Sequence, residues 1–328
     1  MHPIARIALL GILALVVPLV AAGCRDERAE EPASDRAEHG ALHRLDVAGR
    51  DGTRAGTVAY WSNTDLDTID RQRVVIVIHG DERNADAYFA FAARAAEVEH
   101  SDALIIAPRF VTGGDRGREA TDLTWSDDGW KSGDDSTRGE VSSFEVIDQL
   151  LALLVARDAR LQELVVAGHS AGGQFVQRYA AGGHLTGGQS ARGPRYRFVV
   201  ANPSSYLYLD GRRPADAGFE APSRSAQRSC SNYDRYKYGM DGLNRYMART
   251  GTDDLRSQYG AQDVAILLGA LDTGHTNNLD TSCEARLQGP HRYARGTSFY
   301  RYEQALFPPT GRHTLATVAG VGHDGEAM

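Results

Sequence analysis

The stretch Leu164-Val165-Val166-Ala167-Gly168-His169-Ser170-Ala171-Gly172-Gly173-Gln174-Phe175 decides how this chain folds. A short β-branched run ends in Gly-His-Ser-Ala-Gly-Gly, and a helix is predicted over Gln174 to Ala181. The pattern G-x-S-x-G between a strand and a helix describes a sharp turn with one serine at its apex. Such a turn brings neighbouring backbone close on both sides. Gly168 and Gly172, having no Cβ, permit that approach.

Other segments repeat the strand-then-helix theme. Leu42 to Trp61 predicts two short strands around Gly49–Gly52. Val74 to Ile78 is a continuous β-branched run, as expected of a strand buried on both faces, and it ends in His79-Gly80-Asp81. Asn84 to His100 predicts a helix, Ala103 to Ala107 a strand stopped by Pro108, and Phe110 to Gly139 a long polar loop containing Trp125 and Trp130. Ser142 to Leu161 predicts an amphipathic helix with Phe144, Ile147, Leu150, Leu151, Leu154 and Val155 on one face. Beyond Ser170, strands are predicted at Phe198–Ala201, Val264–Leu271 and Thr314–Ala319, with a helix at Ser298–Phe307. Two excursions, residues 203–262 and 273–296, interrupt the later part. This alternation predicts an α/β fold with a mostly parallel central sheet and helices on both faces.

The chain has 328 residues, 42% of them hydrophobic and 24% charged, with a formal net charge of -7. This composition is that of a globular protein. A mildly acidic chain without a basic tract gives no sign of nucleic-acid binding, and no zinc-ligand motif is present. The N-terminus is a separate matter. Ile7 to Ala22 is apolar and uncharged, shorter than a membrane-spanning helix, and ends in small residues, so residues 1–23 read as a secretory signal. Its end, Leu19-Val20-Ala21-Ala22-Gly23-Cys24, resembles a bacterial lipobox. That resemblance implies cleavage before Cys24 and a lipid on its sulfur, hence anchoring to a membrane. The alternatives are an ordinary signal cut near Ala22 or an uncleaved anchor. Arg25 at the next position favours the outer membrane by lipoprotein sorting rules, and the expected location is the periplasmic side or the cell surface. Residues 24–41, charged and almost free of apolar side chains, predict a solvated tether, leaving residues 42–328 as the globular domain.

Ser170, Asp272 and His323 stand at or just beyond the carboxyl ends of three predicted strands, the edge where open α/β sheets bind ligands. Their order, Ser then Asp then His, is that of the α/β-hydrolases. The chain thus resembles serine hydrolases of the α/β-hydrolase superfamily over about Val74 to Asp324. Within that superfamily it is similar to secreted esterases, the polyhydroxybutyrate-depolymerase-like and feruloyl-esterase-like groups. The excursion over residues 203–262 is read as an insertion after the sixth strand. The resemblance assigns Ser170 as nucleophile, His323 as general base and Asp272 as the acid that orients the imidazole. Asp280 and Asp210 are alternatives for the acid, and His275, His291 and His313 compete with His323. His169 is read as a support for the turn. The backbone N–H groups of Ala171 and Asp81 are the implied oxyanion donors. Two features depart from the family pattern. His79-Gly80-Asp81-Glu82 replaces a run of glycines, so the two acidic side chains must point away or pair, Arg83 being the nearest partner. Only Asp324–Met328 follow His323, where relatives continue into a last helix.

Outside the cytoplasm Cys230 and Cys283 favour a disulfide tying the insertion to the loop after Asp272. The alternative is two separate buried thiols. Trp125, Trp130, Tyr206 and Tyr208 are candidates for an aromatic substrate surface, or else they pack the excursions onto the core. The resulting expectation is hydrolysis of a small-molecule or polymeric ester, with no cofactor. An amidase or peptidase using the same residues, and a non-catalytic ligand-binding lipoprotein on the same scaffold, are the alternatives.

Overall fold

The β-branched run before Ser170 lies in the middle of an eight-stranded sheet. A computed structural model describes residues 40–185, 193–275, 278–309 and 311–328. The expected signal segment, Cys24 and all but the last two residues of the tether lie outside the described residues. The sheet strands are β1 (Ala41–Ala48), β2 (Arg54–Ser62), β3 (Arg73–Ile78), β4 (Leu104–Pro108), β5 (Glu163–His169), β6 (Arg195–Ala201), β7 (Asp263–Gly269) and β8 (His313–Val318). They are ordered β1-β2-β4-β3-β5-β6-β7-β8. β1 and β2 form an antiparallel hairpin and β2 runs antiparallel to β4; every pairing from β4 to β8 is parallel. The sheet is therefore mostly parallel, as the alternation of elements predicts.

Side-chain alternation along the strands builds two cores. From β3 and β4, Ile76, Ile78, Leu104 and Ile106 enter the larger core. Val77, Ile105 and Ala107 point the other way, toward helix α1 (Ala85–Val98) with its Tyr88, Phe89 and Ala93. The larger core is closed by α2 (Ser143–Arg157), by α3 (Ala171–Gly182) and by a later helix, Arg292–Leu306, described below.

Local chemistry sets the ends of these helices. Ser142 and Glu145 form a reciprocal capping box at the start of α2. The helix stops at Arg157, four residues before the predicted Leu161. Asp158 turns extended there and bonds the backbone and side chain of Arg160 instead, a local alternative that competes with the helix. α3 begins at Ala171, three residues earlier than predicted, because Gly172 and Gly173 are used for close packing despite their poor helix propensity.

The segment between β6 and β7 is the expected insertion. It holds a small hairpin (residues 213–220) and helices α4 (Arg224–Ser229), α5 (Arg245–Ala248) and α6 (Thr252–Ala261). After β7 come α7 (Cys283–Arg286) and α8 (Arg292–Leu306). α8 starts six residues before the predicted Ser298, since the His291 ring accepts from the N–H of Ala294 and caps it. Cys230 and Cys283 are disulfide-bonded, with Cα atoms 5.8 Å apart. The bond staples the insertion to the loop following Asp272.

Closing a loop over a sequence separation of 53 contributes on the order of 4 kcal/mol in the chain-entropy model. Reduction, or the Cys230→Ser/Cys283→Ser variant, is expected to lower the unfolding free energy by about that amount. Denaturant titration with and without dithiothreitol measures it; an unchanged midpoint would exclude a stabilising staple.

Candidate active site

Ser170 has φ 58° and ψ −117°, a conformation that L-residues rarely adopt. The surrounding backbone holds it there. The Ser170 N–H donates to the Ala201 carbonyl at 2.9 Å, and three glycines let the chain close in. A Cβ on Gly168 would lie 2.3 Å from the Gly172 carbonyl oxygen. One on Gly172 would lie 2.1 Å from the Ile78 oxygen and 2.6 Å from that of His79, and one on Gly173 2.6 Å from the Ala201 oxygen. The start of α3 is thus wedged between the ends of β3 and β6. The serine hydroxyl stands at the carboxyl edge of the sheet, beside the positive end of a helix.

Asp272 and His323 reach the same point from β7 and β8. His323 Nδ1 donates to Asp272 Oδ2 at 2.7 Å, and its Nε2 lies 2.9 Å from Ser170 Oγ. Asp272 is buried, with Arg292 Nη1 3.8 Å from its other oxygen. Asn202 ties the pieces together. Its Oδ1 accepts from the Gly269 N–H at 2.9 Å and its Nδ2 donates to the Gly322 carbonyl at 3.4 Å, joining the ends of β6 and β7 to the histidine loop. The segment after His323 is held too. Asp324 Oδ1 accepts from the N–H groups of Glu326 and Ala327, and Glu326 pairs with Arg94 on α1.

The remaining candidates have other duties. Asp280 accepts from Tyr238 and from the N–H of Ser282, while Asp210 pairs with Arg212. His291 caps α8, and His313 is buried against Glu303 and the Tyr259 carbonyl. His275 is exposed in the loop after Asp272.

The turn after β3 is fixed by His79. Its Nε2 accepts from the Phe110 N–H at 3.0 Å, so Nδ1 carries the proton and donates to the Gly80 carbonyl at 2.8 Å. Asp81 follows. Its carboxylate pairs with Lys131 at 3.0 Å and not with Arg83. Arg83 instead binds Asp115 through two bonds of 2.7 and 3.0 Å and donates to the Asp81 main-chain oxygen. Glu82 is exposed.

A cavity of about 400 Å³ opens over Ser170 and His323. Asn84, just before α1, with Tyr88 and Phe91 of α1 forms one wall, and Asp324 to Glu326 another. His169 lines it as well, its Nδ1 2.9 Å from the Tyr88 hydroxyl. Trp125, Trp130 and Tyr206 do not line it. Their exposures are 1%, 0% and 0%, which corrects the expectation that they contact substrate. Trp125 and Trp130 pack on Phe110, and Trp130 also meets His79 with ring centroids 4.6 Å apart. Tyr206 stacks on Phe299, and Tyr208 lies between Phe299 and Tyr302. Burial of these large rings outweighs anything they would gain at the surface. The sequence reading missed Tyr88, Asn202, Lys131 and Arg292. Only Asn202, directly after a predicted strand on the binding edge, carried a local signal.

No protein-family model matches the chain, and no curated protein matches it. Solved structures do. The poly(3-hydroxybutyrate) depolymerase LpqC from Bordetella parapertussis aligns at TM-score 0.60 and 23% identity, over 89% of this chain and 88% of its own. Poly(aspartic acid) hydrolase-1 from Sphingomonas sp. KT-1 aligns at TM-score 0.58 and 22% identity, over 88% and 94%. With the strand order above, these likenesses establish the α/β-hydrolase fold.

Two outcomes follow from this packing. Gly172→Ala forces a methyl group into the Ile78 and His79 carbonyls, so it is expected to cost several kcal/mol and displace Ser170; thermal melts and a crystal structure of the variant check this. Burial also pushes His79 down to about 4, and burial with the His323 charge takes His169 to about 3. Unfolded, both rings protonate near the ordinary value of about 6.5. The unfolded chain therefore binds more protons below that pH, and stability falls as pH drops from about 6.5 toward 4. Asp148, pushed up to about 6 mainly by burial, acts in the opposite sense above pH 3.8. In His79→Gln the decline between pH 7 and 4 should shrink by on the order of 3 kcal/mol. Denaturant titrations at both pH values give the difference, and an equal decline in both proteins would refute the assignment.

Proposed function

We propose that this chain is a serine hydrolase that cleaves carboxylic esters through an acyl-enzyme on Ser170. The observation that carries this reading is the hydrogen-bonded series Asp272–His323–Ser170 on the strained turn at the binding edge of the sheet. His323 Nε2 accepts the hydroxyl proton as Ser170 Oγ attacks the ester carbonyl. Asp272 fixes the tautomer and stabilises the imidazolium that forms. The N–H groups of Ala171 and Asp81 receive the developing oxyanion. Lys131 supports this arrangement, because it neutralises the one carboxylate attached to that donor residue. His323 then protonates the leaving alcohol, and water attacks the acyl-enzyme by the same route.

The named neighbours are a polyester depolymerase and a poly(aspartic acid) hydrolase, so polymers belong beside small esters in a substrate panel. An amide substrate would use the same groups, and matched ester and amide pairs separate the two. Residues 19–24 support export and lipid attachment at Cys24, and a disulfide suits an oxidising compartment. Loss of fatty-acid labelling in Cys24→Ser tests the anchor.

A fluorophosphonate probe is expected to label the wild-type protein and not Ser170→Ala. Asp272→Asn should fold normally and lose about 10⁴-fold in kcat, from the wrong imidazole tautomer. Equal labelling of the Ser170→Ala protein, or undiminished turnover by Asp272→Asn, would overturn the assignment.

A further inference from the structure

Asp272 is 3% exposed and Arg292 1%. A buried carboxylate is costly unless a charge answers it. A general base must begin neutral, so before the reaction His323 gives Asp272 Oδ2 a hydrogen bond and no positive charge. Arg292 gives the charge. Its Nη1 lies 3.8 Å from Oδ1, and among the described residues it is the only lysine or arginine within 4 Å of that carboxylate. Position comes with it. Arg292 opens α8, and the N–H of the next residue, Tyr293, donates to the Asp272 main-chain carbonyl at 3.1 Å. The first turn of α8 therefore grips the acid by backbone and by side chain.

Arg292 reaches His323 through this carboxylate. Once His323 takes a proton, imidazolium and guanidinium share one acid, one at each oxygen. The two like charges oppose each other, and burial leaves that opposition poorly screened. Other groups near the ring answer it weakly. His169 stacks at 4.6 Å and stays neutral, pushed down to about 3 by burial and then by the His323 charge. Tyr88 is held neutral by burial. Asp81 pairs with Lys131, while Glu82 and Asp324 are exposed to solvent screening. On the Arg292 side, His275 is exposed, His291 caps Ala294, and Arg295 is spent on the carbonyls of Ser204 and Gly289.

We propose, resting on the reading of Ser170, Asp272 and His323 as a hydrolase site, that Arg292 is a positioning residue: it holds Asp272 ionised and in place while opposing protonation of His323, and so sets how far into acid the site stays active. Without the guanidinium the base is lost at a higher pH.

The test compares wild type, Arg292→Gln and Arg292→Lys by the rate of fluorophosphonate labelling from about pH 4 to 9, which needs no substrate. In Arg292→Gln the acidic limb is expected to move up by about one pH unit, so labelling at a pH below both limbs falls about tenfold. The plateau should fall by no more than about threefold, because Tyr293 still grips the acid. Arg292→Lys keeps the charge and should return the limb to within about 0.3 unit of wild type. A structural role alone would lower the plateau and leave the limb in place. That result, or a limb displaced equally in Arg292→Lys, would overturn the proposal. Should Arg292→Gln not fold, Arg292→Met carries the same expectation, since its apolar end needs no partner in a buried position. A displaced limb without turnover of any ester supports the role of Arg292 and counts against the ester reading alone. A wild-type protein that takes no label defeats both.

Discussion

The contact on which the rest depends is backbone against backbone. The Cα of Gly172 sits so close to the carbonyls of Ile78 and His79 that no side chain fits between them. That approach sets the position of α3 relative to β3, and with it the angle at which Ser170 leaves β5. Gly168 at the end of β5 and Gly173 in α3, packed on Ala201 of β6, serve the same junction. The positive φ of Ser170 costs about 1–3 kcal/mol, and it persists because three strand ends and one helix start over-determine it. Asn202 after β6 and Arg83 on the turn after β3 share this left-handed region, at φ 44° and 57°. His323 and Asp272 arrive on loops whose ends are clamped by Asn202.

Much of this was legible in the sequence because the carriers were local. A β-branched run, a glycine pattern and a polar residue just past each strand end locate the binding edge without knowledge of tertiary packing. Ser170, Asp272 and His323 belong to that class, and the structure brings all three within hydrogen-bonding reach. The two cysteines were legible for a different reason, since the export expected from residues 1–23 favours their pairing.

What was not legible lies in long-range partnership. Asp81 meets Lys131 across a separation of 50 residues, and Tyr88 meets His169 across 81; no local pattern announces either. Arg83 was the nearest cation in sequence to Asp81, yet Asp115 offers it two well-aligned bonds, and planar guanidinium chemistry prefers that geometry. The tryptophans show the opposite error. Placing Trp125 and Trp130 in a polar loop suggested exposure, whereas the loop folds back to bury both, Trp130 against His79 of the turn that carries Asp81 and Trp125 against Phe110. In a segment with few apolar residues, those few are the ones that anchor it.

The tie between Arg94 and Glu326 has a mechanical consequence. α1, with Asn84 just before it, supplies one wall of the cavity directly through Tyr88 and Phe91, and it grips the opposite wall through Arg94. The opposite wall is rooted in the sheet as well, because Asn202 bonds the Gly322 carbonyl one residue before His323. The Arg94–Glu326 pair is exposed and contributes about 1 kcal/mol or less, so it joins two separately mounted walls across their rim. Salt weakens that link without touching either mount, and the cleft owes its width first to the sheet and only then to the ion pair.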